Sequence, residues 1–396
     1  MIETWRWFGP SDSISLQKIR QAGATGIVTS LHEVKTGDVW SVEAIAERKR
    51  MIEQAGLDWT VIESIPVHND IKTRTGNYLQ LIENYKESIK NAAACGVYTI
   101  CYNFMPVVDW TRTNLMYRLP NNSHALRFEM TDFAAYDMYL LKRAGAVESY
   151  SDEVKQKAEQ RFSNMNDDER EALEKNIIAG LPGGEGSYTR DSIRAAIQQF
   201  IDLGTEGFRQ NLFLFLQAII PTAEEVGAKM CIHPDDPPFS LFGLPRVVST
   251  ASDAQALLDA CPSPANGLTM CAGSYGARGD NNLVQMTRDF GEKIYFVHLR
   301  NVIREADGSF YESDHLDGDN DMVGLVEALL NEEKRRYKAA DGGEYLSIPM
   351  RPDHGHLLED ELHQAGVKPG YSYVGRLKGL AELRGVIHTV SRFVNH

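Results

Sequence analysis

Short apolar, β-branched runs alternate along the chain with longer stretches whose apolar positions recur at helical spacing. The runs Glu3–Phe8, Gly26–Ser30, Trp59–Glu63, Tyr98–Phe104, Lys229–His233, Leu268–Cys271, Ile294–Leu299 and Tyr345–Met350 read as strands, each followed by a helical pattern. Helices are predicted over Ser13–Gln21, Val42–Gln54 and Asn77–Cys95, which spaces the first four strands by about one βα unit. Such alternation is the mark of βαβ units and a parallel sheet. Four strands before and four after a long interruption close one barrel, whereas two four-stranded halves would each leave edges to protect. The pattern therefore predicts a single-domain α/β protein over residues 1–396, a (β/α)8 TIM barrel.

Two stretches exceed a simple crossover. Residues 110–190 are rich in Tyr, Met, Lys and Glu and read as a helical insertion after the fourth strand, closed by the Gly-rich loop Gly180–Tyr188. Helical patterns over Arg190–Leu203 and Asn211–Val226 follow it. Residues 304–322, acidic and turn-rich, read as a smaller loop insertion after the seventh strand.

Composition narrows the function classes. With 41 basic and 55 acidic residues the formal net charge is -14, against a nucleic-acid partner. The basic runs Arg48–Arg50 and Lys334–Arg336 fall in helical segments and read as solvated faces. Five scattered cysteines form no disulfide framework and fit a reducing cytoplasm. No signal peptide and no membrane span are visible, so no membrane partner is expected.

Barrel enzymes carry their chemistry at the C-terminal ends of the strands. The last four predicted strands each end at, or lead to, a residue able to bind a metal: His233, Cys271, His298 and Asp353. Singly, each has an ordinary explanation, such as a core imidazole, a small buried thiol or a helix cap. Together they converge on one volume, and two imidazoles, a thiolate and a carboxylate suit Zn, Fe or Mn better than an all-oxygen ion. Alternation places Arg300 on the side of His298 and Arg351 on that of Asp353. For Arg300, a clamp on an anionic substrate and an ion pair with a neighbouring carboxylate are both open. His354 is a candidate acid or base, and Tyr371 its candidate partner in proton transfer. His32, Asn103, Asp109 and Arg112 lie near the predicted rim as candidate substrate contacts, and Trp110 as part of a lid.

The segments WRWFGPSDSISLQKIRQAGATGIVTSLH, NFMPVVDWTRT, CIHPDDPP, TMCAGSYG, FVHLRNV and RPDHGH together resemble the mannonate dehydratase family over essentially the whole chain. The resemblance implies a xylose-isomerase-like barrel that removes water from D-mannonate to give 2-keto-3-deoxy-D-gluconate in hexuronate breakdown, using Mn2+ or Fe2+. Carried over, the metal ligands fall on His233, Cys271, His298 and Asp353, and the catalytic pair on His354 and Tyr371, the latter resting on the length of the intervening loop. Arg300, Arg351, His32 and Asn103 are expected to hold the aldonate, and a homo-oligomer, dimer or larger, is expected. Three rivals stay open: a metal-dependent sugar isomerase or epimerase on a similar barrel, a metal-barrel phosphodiesterase, which the acidic charge disfavours, and a non-catalytic metal or sugar-acid binding protein.

Overall fold

The computed structural model describes residues 1–179, 188–340 and 347–394. Twelve strands occur in it: β1 (Ile2–Arg6), β2 (Gly26–Thr29), β3 (Asp58–Glu63), β4 (Thr99–Tyr102), β5 (Asn114–Arg118), β6 (His124–Phe128), β7 (Lys229–Ile232), β8 (Asn266–Cys271), β9 (Ile294–His298), β10 (Val302–Arg304), β11 (Phe310–Glu312) and β12 (Pro349–Arg351). Eight of them close a barrel in the order β1-β12-β9-β8-β7-β4-β3-β2, with every neighbouring pair parallel. All eight predicted runs supply a barrel strand. The last is shorter than predicted, and the start of its run at Tyr345 lies outside the described residues.

The helices around the barrel follow from local sequence. Ser41 caps the helix Val42–Gln54 by accepting a hydrogen bond from the Ala44 N–H, and that helix buries Ile45 and Ile52. The helix Tyr78–Ala94 buries Leu81, Ile82, Tyr85, Ile89 and Ala92, a stripe at helical spacing that faces the sheet. The two predicted helices after residue 190 form one long span, Arg190–Glu225, interrupted at Gly204. Gly204 has φ 68°, a conformation that glycine adopts without a steric penalty.

Residues 110–190 are not wholly helical. They begin with the antiparallel hairpin β5–β6, and only then run into the helices Met130–Ala135, Asp152–Asn164 and Asp167–Ala179. The predicted loop Gly180–Tyr188 lies, except for Tyr188, outside the described residues. The stretch 304–322 is likewise not a plain loop: β10 and β11 form a second hairpin that pairs with β6. The two insertions therefore share one four-stranded sheet, ordered β10-β11-β6-β5. Phe128 and Phe310 stack across it at 5.7 Å, and Arg127 donates to Glu305 Oε1 at 2.7 Å.

Inside the barrel, residues two apart share a face. Cys231 lies below His233, Thr269 below Cys271 and Phe296 below His298, giving a small or apolar layer directly beneath the donors. Val28, Val61, Cys101, Cys231 and Phe296 belong to one buried cluster there. The Phe296 ring meets His298 edge-on at 4.6 Å and limits the tilt of its imidazole.

Candidate active site

His233, Cys271 and His298 converge at the C-terminal mouth of the barrel, and each offers a donor atom within 4.8 Å of the other two. All three are buried. The Nδ1 atom of His233 lies 2.7 Å from the Pro234 carbonyl, which places its proton there and leaves the Nε2 lone pair free. Neither ring nitrogen of His298 makes a well-formed hydrogen bond among the described residues, although Nε2 lies 3.2 Å from Glu63 Oε1. Buried polar atoms without partners are costly unless something else satisfies them. Two imidazoles and a thiol over a small, apolar layer thus fit a borderline divalent ion.

Asp353 stands beside the trio, with Oδ2 3.8 Å from both Cys271 Sγ and His298 Nδ1. Its φ of 68° is left-handed, a conformation rare for non-glycine residues but better tolerated by Asp than by most. Arg351 donates to its Oδ1 at 2.5 Å, and Arg300 Nε lies 3.2 Å from its Oδ2. Burial pushes the carboxyl pKa up, but Arg351, His354, His298 and Arg300 outweigh it and hold the group well below the usual carboxylate range.

Three further carboxylates, none singled out from the sequence, complete the surroundings. Glu63, at the end of β3, pairs with Arg351 at 3.1 Å and with Arg6 at 3.3 Å. Asp236 takes two hydrogen bonds from Arg112, at 2.7 and 3.2 Å, and one from Arg300 at 2.7 Å. Glu312, the last residue of β11, takes one from Arg300 at 2.9 Å and lies 3.5 Å from Arg112. Burial opposes ionisation in all three, but the neighbouring cationic groups outweigh it: Arg351 and His298 for Glu63, Arg112 and Arg300 for Asp236, and His354 ahead of Arg300 for Glu312. The carboxyl pKa values therefore stay low, that of Glu312 at about 2. The carboxylates Glu63, Asp236, Glu312 and Asp353 are balanced by Arg6, Arg112, Arg300 and Arg351 in one buried web. Sequence signals for these three existed: Glu63 ends a barrel strand, Asp236 follows His233 within the same turn, and Glu312 follows two aromatic residues in an otherwise acidic stretch.

His354 and Tyr371 lie together, with His354 Nε2 3.1 Å from the Tyr371 hydroxyl and both side chains buried. The segment Lys368–Tyr371 is a tight turn closed by a hydrogen bond of 2.9 Å from the Tyr371 N–H to the Lys368 carbonyl. Proline at its second position and Gly370, with φ 78°, at its third suit a type II turn. Burial, outweighing nearby Arg351, raises the Tyr371 phenol to about 12, so it keeps its proton at neutral pH.

The remaining predicted residues fall as follows. Arg300 and Arg351 are both buried and engaged by carboxylates, which is the ion-pair arrangement for Arg300. Arg112 is paired with Asp236 in the same web. Asn103 follows β4, next to the strand that ends at His233, and its Oδ1 accepts from the Met105 N–H at 3.1 Å. The Trp110 ring meets His233 at 5.4 Å, and Asp109 beside it is buried. His32 lies 5.9 Å from Phe8, whose ring contacts Tyr371 edge-on at 4.9 Å. Burial, with Arg6, Arg48 and Lys368 adding to it, lowers the His32 pKa to about 3 and keeps it neutral.

Converging donors and the adjoining His354–Tyr371 contact at the mouth of a closed parallel barrel are the arrangement of a (β/α)8-barrel enzyme. A family model for D-mannonate dehydratase (UxuA) matches residues 1–396. The chain is 73% identical to a mannonate dehydratase of Saccharophagus degradans over 390 residues, covering 98% of each chain. It is 55% identical to mannonate dehydratase 2 of Agrobacterium fabrum over 392 residues, covering 99% of this chain and 98% of that one. The crystal structure of mannonate dehydratase from Streptococcus suis serotype 2 superposes with a TM-score of 0.77 at 34% identity, covering all of this chain and 95% of that one. The chain belongs to the D-mannonate dehydratase family and is a hydro-lyase. A D-psicose 3-epimerase, at 10% identity and a TM-score of 0.50, is similar in fold alone. No helix among the described residues is long and apolar enough to cross a membrane.

Proposed function

We propose that the enzyme removes water from D-mannonate to give 2-keto-3-deoxy-D-gluconate in hexuronate breakdown, with His354 and Tyr371 as its proton-transfer pair. The observation that carries this reading is the contact of His354 Nε2 with the Tyr371 hydroxyl, 3.1 Å long, beside a buried group of soft donors. His233, Cys271, His298 and Asp353 are the residues that would hold Mn2+ or Fe2+. A divalent cation held there supplies Lewis-acid stabilisation for the charge that grows on the substrate carboxylate as the C2 proton leaves.

The chain's own groups account for the proton traffic. Nδ1 of His354 lies 2.6 Å from Glu312 Oε1 and 3.2 Å from Arg300 Nη1. The two contacts compete, because a carboxylate asks for a proton on Nδ1 and a guanidinium for a lone pair. The shorter, carboxylate contact decides, and Arg300 Nη1 already donates to the same Glu312 oxygen. His354 therefore carries its proton on Nδ1 and presents a basic Nε2. We assign removal of the C2 proton to that nitrogen, and protonation of the departing C3 hydroxyl to Tyr371. Elimination leaves an enol that ketonises to the product, and the proton on Nε2 passes back to the phenolate across the hydrogen bond, so the pair resets itself.

Because the buried carboxylates are already matched by guanidiniums, they contribute little net negative charge to repel an aldonate. Arg300 and Arg351 then act through the carboxylates they hold, while the neutral imidazole of His32 and the amide of Asn103 suit sugar hydroxyls. All five cysteines are free, and a cytoplasmic setting keeps Cys271 reduced, able to bind a metal as the thiolate.

The test is an anaerobic assay over a panel of aldonates with Mn2+, Fe2+ or Zn2+ restored separately, run on the wild type and two variants. Formation of a 2-keto acid from mannonate is expected. His354→Asn is expected to abolish both elimination and exchange of the C2 hydrogen with solvent deuterium. Tyr371→Phe is expected to retain exchange while losing elimination by about 100-fold or more. An epimer of mannonate in place of a keto acid would reject the dehydration, and H354N with near-normal turnover would reject the proton-transfer pair.

A further inference from the structure

Glu312 lies 14 residues beyond β9 in sequence, on a hairpin outside the barrel, yet its carboxylate sits 2.6 Å from Nδ1 of His354. Several contacts bring it there. β11 pairs with β10 and with β6, so the hairpin is anchored in the accessory sheet. Nε2 of His356 lies 3.0 Å from the Glu312 backbone carbonyl, tying the end of β11 to the loop that carries His354. Arg300 and Arg112 reach the same carboxylate oxygen, Oε1, at 2.9 and 3.5 Å. Glu312 and His354 are both almost fully buried, with relative exposures of 3% for each. An imidazole has two ring nitrogens, and which one is basic depends on what the other is bonded to. A fixed carboxylate on Nδ1 settles both the tautomer and the rotation of the ring, leaving Nε2 aimed at Tyr371.

We propose that Glu312 is a positioning residue for the reaction, orienting His354 through Nδ1, and that the accessory sheet delivers it. The proposal rests on the reading of His354 as the base. Loss of this carboxylate leaves the ring free to rotate and to present the wrong nitrogen, while the donor trio and the substrate contacts stay in place. The effect then falls on kcat and not on KM.

The experiment compares Glu312→Gln, Glu312→Asp and Glu312→Ala with His354→Asn in the enzyme purified with its metal content measured. E312Q is expected to lower kcat by about 10- to 100-fold, the usual cost of losing a supporting partner, with KM and metal content within about twofold of wild type. E312D keeps the charge that Arg112 and Arg300 need for folding but withdraws the carboxylate by one methylene, and it is expected to show a similar kcat loss. Glu312 lines a narrow pocket with Asp314, His356 and Lys378, so formate is expected to restore part of the kcat of E312A in a concentration-dependent way. E312Q or E312D with kcat within twofold of wild type overturns the proposal. So does a kcat loss matched by an equal loss of metal or rise in KM, which marks a merely structural support. If H354N itself turns over normally, it is the underlying assignment of the base that fails.

Discussion

Two neighbouring regions at the barrel mouth are built on opposite principles. The donor trio of His233, Cys271 and His298 sits on a small, apolar layer and is loosely held by the protein. His298 makes no well-formed hydrogen bond among the described residues and only nears Glu63 and Asp353, at 3.2 and 3.8 Å. The adjoining web of Glu63, Asp236, Glu312 and Asp353 is tied to guanidiniums at nearly every carboxylate. Polar atoms left unmatched in a core mark where something from outside binds, because the fold alone gives no reason to keep them. Matched charges mark the frame that holds the first group still. The two regions should therefore respond differently to substitution.

The largest effect is expected in the trio. His298→Leu should reduce turnover by more than about 100-fold, beyond the cost of losing a supporting partner. The same change should leave the stability of the metal-free protein within about 1 kcal/mol of wild type. The imidazole makes no well-formed hydrogen bond there, and the Glu63 carboxylate it approaches is already held by Arg351 and Arg6. Denaturant unfolding after chelation measures this, and a large destabilisation would erase the contrast between the regions.

Next comes the web. Asp236→Asn leaves Arg112 and Arg300 with an unmatched charge and should cost about 3–5 kcal/mol of stability, read by denaturant unfolding. Acid should act on the same region. The carboxyl of Glu312 is held at about 2 against an ordinary 4.5, so its contribution is complete above 4.5 and lost as pH falls through the interval between them. Stability of the metal-free protein should fall in that window, and less steeply for Glu312→Gln. A stability curve that E312Q leaves unchanged there would remove Glu312 from the frame.

The smallest effect probes the seam between the regions. A Cβ on Gly273 would lie 1.9 Å from Arg300 Nε, a side chain fixed by three carboxylates and unable to move aside cheaply. Gly273→Ala should cost about 1–3 kcal/mol through overpacking, with a lower kcat because Arg300 is displaced from Glu312 and Asp353. Wild-type stability and kcat in G273A would show that the arginine is less constrained than its contacts imply.

The barrel was legible because each of its strands is a buried run flanked by helical patterns, and the order of strand and helix leaves few topologies to choose from. The accessory sheet was not. Asn114–Arg118 contains Leu, Met and Arg, all good helix formers, and is half exposed, so no clean alternation marks it as a strand. Only the turn between Leu119 and Ser123, rich in Pro and Asn, hinted at a hairpin. Within the site, the metal-binding candidates and His354 were readable because strand ends in a barrel share a destination. Glu63 obeys that same rule, but its neighbours β2 and β4 end at Thr29 and Tyr102, so no run of ligand-type residues marks it. Glu312 obeys a different one: an acidic residue in an acidic, turn-rich stretch looks solvated until tertiary pairing shows the guanidiniums it meets.

The stitching of the two insertions has a consequence for how the protein is made. The hairpin β5–β6 leaves the ribosome long before β11, the strand with which β6 pairs and which carries Glu312. A nascent chain halted before Phe310 can assemble much of the cylinder yet holds an unfinished apparatus, and competence arrives only near the end of synthesis.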